Sequence, residues 1–267
     1  MPKLKEISKK FGQPRRTDIV TEDDASMSEV EENIENYPVM IFVTADGYLK
    51  KISHLSLRFS GEQKLKENDR IVKSIDTDNL TEILVFASSG EVYKTKAHEI
   101  PDSKASLLGE YLPNLLQMGA NEKVIGVVTT HDYSGQLLLC FENGKVAKVD
   151  LKAYWTKSNR KKLTNAFSTA SPLVKIIHLK EEKDVILVSS GKKILCFNSE
   201  KVALKSTKST QGVMVMQPTK GSTVVDAYLG EECGFKDIKA YRTRNIPAKG
   251  SFIKPEDEGT EQITLFD

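Results

Sequence analysis

The sequence predicts an all-β chain built as a propeller-like array, and three observations carry that prediction. An apolar run, a glycine-bearing turn and an alternating run recur four times. The turn glycines, Gly47, Gly90, Gly144 and Gly191, stand 43, 54 and 47 residues apart. Each of these units then continues through a polar loop into one more apolar strand. A repeat of roughly 40–50 residues with several strands in each unit is the pattern of a propeller-like array.

The clearest copy is Ile83 to Pro101. Ile83-Leu84-Val85-Phe86 leads into Ser88-Ser89-Gly90, and Val92 and Lys94 open the returning strand. Glycine tolerates the positive φ that tight hairpin turns demand, so the run reads as a β-hairpin. Val39 to Val43 before Asp46-Gly47 and Leu137 to Phe141 before Asn143-Gly144 repeat it, with Leu49 and Lys51, then Val146 and Lys148, behind the turn. In the fourth copy Val185 to Val188 precede Ser190-Gly191, but Lys193 and Leu195 stand where an aliphatic and a lysine are expected. The further strands are Ile71–Ile75, Val124–Val128, Leu173–Ile177 and Val224–Ala227, read as the outer strand of each unit. One such sheet cannot bury both its faces, so the units are expected to pack on one another in a ring or spiral. Residues 232–254 are read as a possible fifth, irregular blade.

Around this core lie segments of different composition. Residues 1–17 read as the end of a helix, with Leu4, Ile7 and Phe11 on one face and Gly12 and Pro14 stopping it. Residues 18–36 form an acidic linker with little to bury. The β-domain is placed at 37–254, and 255–267 is read as an acidic, disordered tail.

Composition excludes several function classes. No run approaches the roughly 20 apolar residues a membrane helix requires, and no signal-peptide pattern follows Met1, so no membrane partner is expected and a cytoplasmic setting is. Cys140, Cys196 and Cys233 are far apart and make no CxxC pair; Cys140 and Cys196 fall in apolar strands and read as small core residues. The four histidines lie in different repeats, without the spacing of a metal site.

The formal net charge is only +2, yet its distribution is lopsided. Residues 17–49 hold no Lys or Arg, whereas residues 145–208 hold fifteen against five Asp and Glu, a local net of +10. Such concentration points to a polyanionic partner.

Longer stretches resemble a known family. Leu4-Lys5-Glu6-Ile7 with Phe11-Gly12-Gln13-Pro14-Arg15-Arg16-Thr17 resembles the junction after the cleavage core of bacterial type IIA topoisomerase A subunits. Thr44 to Lys51 is similar to the first hairpin of their C-terminal domain. Glu91-Val92-Tyr93-Lys94, Glu99-Ile100-Pro101 and Asn114-Leu115-Leu116 are similar to the second blade, and Thr210-Gln211-Gly212-Val213 to a later one. The resemblance implies a β-pinwheel of about four to five four-stranded blades. It also implies blades that exchange strands, a rim that binds and bends duplex DNA without sequence preference, and a nucleoid-associated bacterial setting. Cleavage is not expected of this chain alone. The family's nucleophilic tyrosine lies upstream, its ATP and Mg are used by other domains, and its B-type subunit is met through the core. Gyrase A subunits carry a Gly- and Arg-rich box in the first-blade loop, whereas here Arg58 to Lys66 has no Gly-Gly pair. That departure places the resemblance closer to topoisomerase IV.

Phosphate contact needs long cationic side chains on an exposed face. The richest cluster is Lys145, Lys148, Lys152, Lys157, Arg160, Lys161 and Lys162, with Tyr154 and Trp155 between them; Trp155 is expected to pack against its blade. Lys192 and Lys193 extend this surface into repeat four, Lys50 and Lys51 into repeat one, and Lys94 into repeat two. No catalytic or metal-ligating set is assigned. In the tail, Gln262, Leu265 and Phe266 resemble the short peptide by which bacterial proteins dock in the cleft of the replicative sliding clamp. The competing reading is a protein-interaction propeller that does not bind DNA; it lacks recurring Gly-His and Trp-Asp pairs, and its charge would be scattered.

Overall fold

Each of the four repeats folds into a blade in the computed structural model, which describes residues 34–157 and 160–257. The helix end, most of the acidic linker and the tail motif at Gln262, Leu265 and Phe266 lie outside the described residues. The blades, from 34 to 155 and from 160 to 257, belong to one compact unit.

Repeat one supplies β1 (Pro38–Thr44), β2 (Tyr48–Ser53), the short helix α1 (His54–Arg58) and β3 (Ile71–Asp78). Repeat two supplies β4 (Glu82–Ala87), β5 (Val92–Lys96), β6 (Glu110–Tyr111), α2 (Leu112–Leu115) and β7 (Val124–Thr130). Repeat three supplies β8 (Gln136–Phe141), β9 (Lys145–Asp150), β10 (Lys162–Leu163) and β11 (Leu173–Leu179). Repeat four supplies β12 (Asp184–Ser189), β13 (Lys193–Asn198), β14 (Leu204–Lys205), β15 (Val213–Met214) and β16 (Val224–Leu229), and β17 (Ser251–Phe252) follows.

The sheet orders show that the blades exchange strands. Blade one is β3-β1-β2-β6, blade two β7-β4-β5-β10 and blade four β16-β12-β13-β17. In blade three β11-β8-β9 is completed by β14 and β15, both on β9. The last strand of blades one to three thus comes from the next repeat. Blade four takes its own from residues 251–252. Residues 232–254 therefore build no fifth blade: they finish the fourth, and among the described residues there are four blades.

The apolar runs are continuous because each sheet is buried on both faces. With side chains alternating across a strand, Ile83 and Val85 pack with Val39, Ile41, Val43 and Leu49 of blade one. Leu84 and Phe86 face the other way, onto Leu137, Leu139 and Phe141 of blade three. Leu138 and Cys140 then pack with Val185, Leu187 and Phe197 of blade four. The end faces are covered differently. Phe42 and Ile52 of blade one lie under Leu57 and Ala105. Ile186, Val188, Ile194 and Cys196 of blade four lie under Phe235 and Tyr241. Pro255–Asp257 belong to that cover, since the buried Asp257 accepts from Tyr241 Oη (2.6 Å) and Lys236 N–H (2.9 Å). The first three residues of the expected tail are therefore folded.

The third apolar strand of each unit is the inner strand, not the outer one. β11 packs on both β7 and β16, and Lys73 of β3 reaches across the centre, its Nζ donating to Val127 O of β7 (2.8 Å). Lys175 of β11 and Glu232, just beyond β16, act on the same ammonium. One cation thereby senses all four blades.

The hairpin turns share one geometry. Gly47, Gly90 and Gly144 have φ of +86°, +88° and +80°, and their N–H groups donate to Thr44, Ala87 and Phe141. In the fourth turn the equivalent bond runs from Lys192 N–H to Ser189 O, and Lys192 takes the left-handed φ, +54°. The turn residue expected at Gly191 thus lies one position later. With Lys192 as the turn residue, Ile194 and Cys196 fill the aliphatic and lysine positions.

A β-carbon at Gly144 would lie 2.1 Å from Met216 O. Gly144→Ala is expected to cost at least about 1–2 kcal/mol, whereas Lys192→Gly should stabilise by up to about 1 kcal/mol. Thermal and urea unfolding read both, and equal melting of Gly144→Ala and wild type would refute the turn geometry. A second expectation concerns pH. Burial, with Lys175 adding to it, lowers the Lys73 ammonium from 10.5 to about 8. A folded-state pKa below the unfolded one makes the charged form a liability below about 8, relieved as pH rises from about 8 toward 10.5. Lys73→Met should therefore gain most over wild type below pH 8 and lose that advantage as pH rises toward 10.5; a difference in melting temperature that does not change with pH would contradict this.

Candidate nucleic-acid interface

The expected basic surface divides into two populations. Lys51, Lys94 and Lys148 occupy the same place, four residues after the left-handed turn residue, and all three are turned into the fold. The Lys51 Nζ bonds Asp102 (2.8 Å) and Asn79 Oδ1 (2.8 Å). Lys94 reaches Glu82 at 3.6 Å and lies 5.1 Å over the Tyr133 ring; burial lowers its pKa. Lys148 pairs with Glu182 and donates to Ser199 O (3.3 Å). Lys50, on the opposite face of β2, is also buried. Its Nζ donates to Lys64 O (2.5 Å), Ala105 O (3.2 Å) and Gln63 Oε1 (3.3 Å), and desolvation lowers its pKa. These four residues were expected at the DNA surface. Sheets packed on both faces leave no outward side for a mid-strand lysine, so their ammonium groups hold loops and neighbouring carboxylates instead. In blade four the corresponding residue is Cys196, a buried thiol pushed up to about 11 by burial.

Most of the second population sits in the connection after β9 and is exposed there. Asp150 caps the 3-10 turn Leu151–Tyr154 by accepting from Lys152 N–H (2.9 Å). Tyr154 is buried, its ring 5.5 Å from Phe86 and its hydroxyl donating to Ala166 O (2.9 Å). Lys152, Lys157, Arg160 and Lys161 are exposed. Lys162 is bridged to Glu91 (2.6 Å) and stacked 5.2 Å over Tyr93. The hydrogen bond to Glu91 raises its pKa. Lys145 donates to Gln211 Oε1 (3.0 Å), Lys192 is exposed at its turn, and Lys193 stacks 4.9 Å over Phe252. Trp155, expected to pack, is exposed instead, because Tyr154 fills the aromatic place in the core.

One basic feature was not assigned from sequence. A cleft of about 610 Å³ on blade four is lined by Asn198, Lys201, Lys239, Arg242, Thr243 and Arg244. Lys201 donates to Thr243 O (2.8 Å) and Arg244 O (2.5 Å), and Arg242 bonds Asp184 (2.8 Å). The alternation of Arg242 and Arg244 was the available signal, lost when 232–254 was read as a separate blade. Among the described residues no three His, Cys, Asp or Glu side chains come together as a metal site.

No protein-family model matches the chain. In sequence it is 29% identical over 233 residues to the DNA gyrase A protein of Campylobacter jejuni, covering 81% of this chain and 27% of that protein. The chain thus spans little more than a quarter of that relative. In structure it resembles the C-terminal domain of DNA topoisomerase IV, with a TM-score of 0.64, 24% identity, and coverage of 73% of this chain and 62% of that one. It also resembles the E. coli ParC C-terminal domain, with a TM-score of 0.60, 12% identity and coverage of 82% and 95%.

Proposed function

With DNA gyrase A proteins as its sequence homologues and the fold of the topoisomerase IV and gyrase A C-terminal β-pinwheels, we propose that the chain binds and bends duplex DNA for a type IIA topoisomerase. Strand cleavage and ATP use then belong to other parts of that enzyme, including its B-type subunit. The observation that carries the reading is the exposed set Lys152, Arg160 and Lys161 in the connection after β9, within a stretch of net charge +10. Rigid blades present these cations, and contact with phosphates requires no base recognition.

Replacing Lys152, Arg160 and Lys161 together by Ala should weaken duplex binding. It should also flatten the slope of log K against log salt by roughly one unit per lost phosphate contact. Unchanged affinity in the triple variant would remove this surface from the reading; absence of any duplex binding by the wild type would favour a protein-interaction propeller.

The first-blade loop supports bending of the topoisomerase IV kind over extensive wrapping. Arg58 to Lys66 lacks a Gly-Gly, arginine-rich run, and Lys50 ties residues 63 and 64 down from beneath. Ligation of nicked circles under saturating protein should give a small linking-number change. A large, uniform change per bound domain would reverse that assignment.

A further inference from the structure

Beside the rim cations, the same connection in each blade exposes a large apolar side chain. The second strand of every hairpin (β2, β5, β9, β13) runs into a single helical turn: His54–Arg58, Ala97–Glu99, Leu151–Tyr154 or Ser199–Lys201. Beyond that turn stand Phe59, Leu107, Trp155 and Leu204, exposed by 86%, 53%, 58% and 49%. Each has a cation close in sequence: Arg58, Lys104, Lys152 and Lys205. Scattered exposed apolar residues need no explanation; a large apolar side chain at the corresponding connection of all four blades, each within three positions of a cation in the sequence, is a different matter.

Trp155 shows the arrangement most fully. Its N–H donates to Lys152 O (3.0 Å) and its backbone is extended, with φ −69° and ψ 142°. The main chain is therefore fixed while the indole stands in solvent. Tyr154 already supplies the aromatic packing of this turn. Lys208 lies 5.9 Å over the Tyr154 ring, and Lys152, Arg160 and Lys161 are exposed in the same stretch of chain as Trp155. An anionic partner with flat apolar faces beneath its charges fits that chemistry, and duplex DNA has both.

We propose that Trp155 is a wedge that stacks against a base step of the bound duplex and helps to bend it, with Phe59 doing the same from blade one. The proposal rests on the DNA-binding reading above. Apolar side chains inserted at base steps unstack them and kink the duplex, and the bend brings more of the backbone onto the protein. Phosphate contacts at neighbouring cations hold the DNA; the wedge shapes it.

Trp155 is the chain's one tryptophan, so intrinsic fluorescence reports it directly. Titrating the full chain with duplex DNA should quench the emission and shield it from acrylamide as binding saturates. Trp155→Ala should melt like the wild type and bind up to roughly tenfold more weakly, with the salt slope unchanged because an indole displaces no counterions. Energy transfer between dyes at the two duplex ends should show a smaller bend for Trp155→Ala, and Trp155→Phe should restore it. Saturable binding that leaves the emission unaltered, or an equal bend with Trp155→Ala, overturns the wedge while leaving phosphate binding intact. Failure of the wild type to bind duplex DNA overturns both.

Discussion

The carbonyl oxygen of the left-handed turn residue is the point on which the architecture depends. In each blade it receives an N–H from one to three residues beyond the short strand that completes the blade edge. Leu112 donates to Gly47 O (3.0 Å), Ala166 to Gly90 O (2.8 Å), Val215 to Gly144 O (3.0 Å) and Ile253 to Lys192 O (3.0 Å). The conformation that closes the hairpin also presents this acceptor, so one backbone constraint sets both the hairpin register and the docking of the exchanged strand. The incoming strands are only two residues long. Little else in their own sequence would hold them. Gly212, just before β15, has φ of +73°, and a β-carbon there would lie 2.3 Å from Val146 O, so the approach is backbone against backbone.

Much of this was legible in the sequence, and the failures share a cause. The hairpins and three of the four turn residues follow from alternation and from glycine's access to positive φ. Lys192 was missed because Ser190-Gly191 imitates the turn signal one residue early, and a lysine at positive φ has no signature of its own. Strand exchange was implied by the resemblance alone, not by any periodicity of the residues. Two-residue strands have no period, and their partners lie about 55 to 70 residues away, as in Tyr48 with Tyr111 and Tyr93 with Lys162. Tyr154 and Trp155 are adjacent aromatics of which only one can enter the core, and volume alone does not decide between them.

The lysines teach a related lesson about charge counting. Lys51, Lys94 and Lys148 contribute to any tally of basic residues, yet each is matched to a carboxylate within its blade region. Breaking a partly buried pair strands the remaining charge, which is why such positions are structural even though their residue type suggests a surface role. The candidate interface is therefore narrower than the sequence suggests: the exposed cations after β9, with the unassigned cleft around Lys239 and Arg244 on blade four.

Among the described residues, shared apolar cores join blades one to two, two to three and three to four, while blades one and four cover their remaining faces with Leu57 and Ala105 or with Phe235 and Tyr241. Such a chain behaves thermodynamically like a short stack with two capped ends. Its blade count is then not dictated by the angle needed to close a circle. Duplication or loss of an internal repeat would preserve each type of shared blade-to-blade core, because the caps stay where they are and each turn carbonyl still finds the next incoming segment. Blade number in this architecture is accordingly open to evolutionary change one repeat at a time, and with it the length of rim along which a partner can be held.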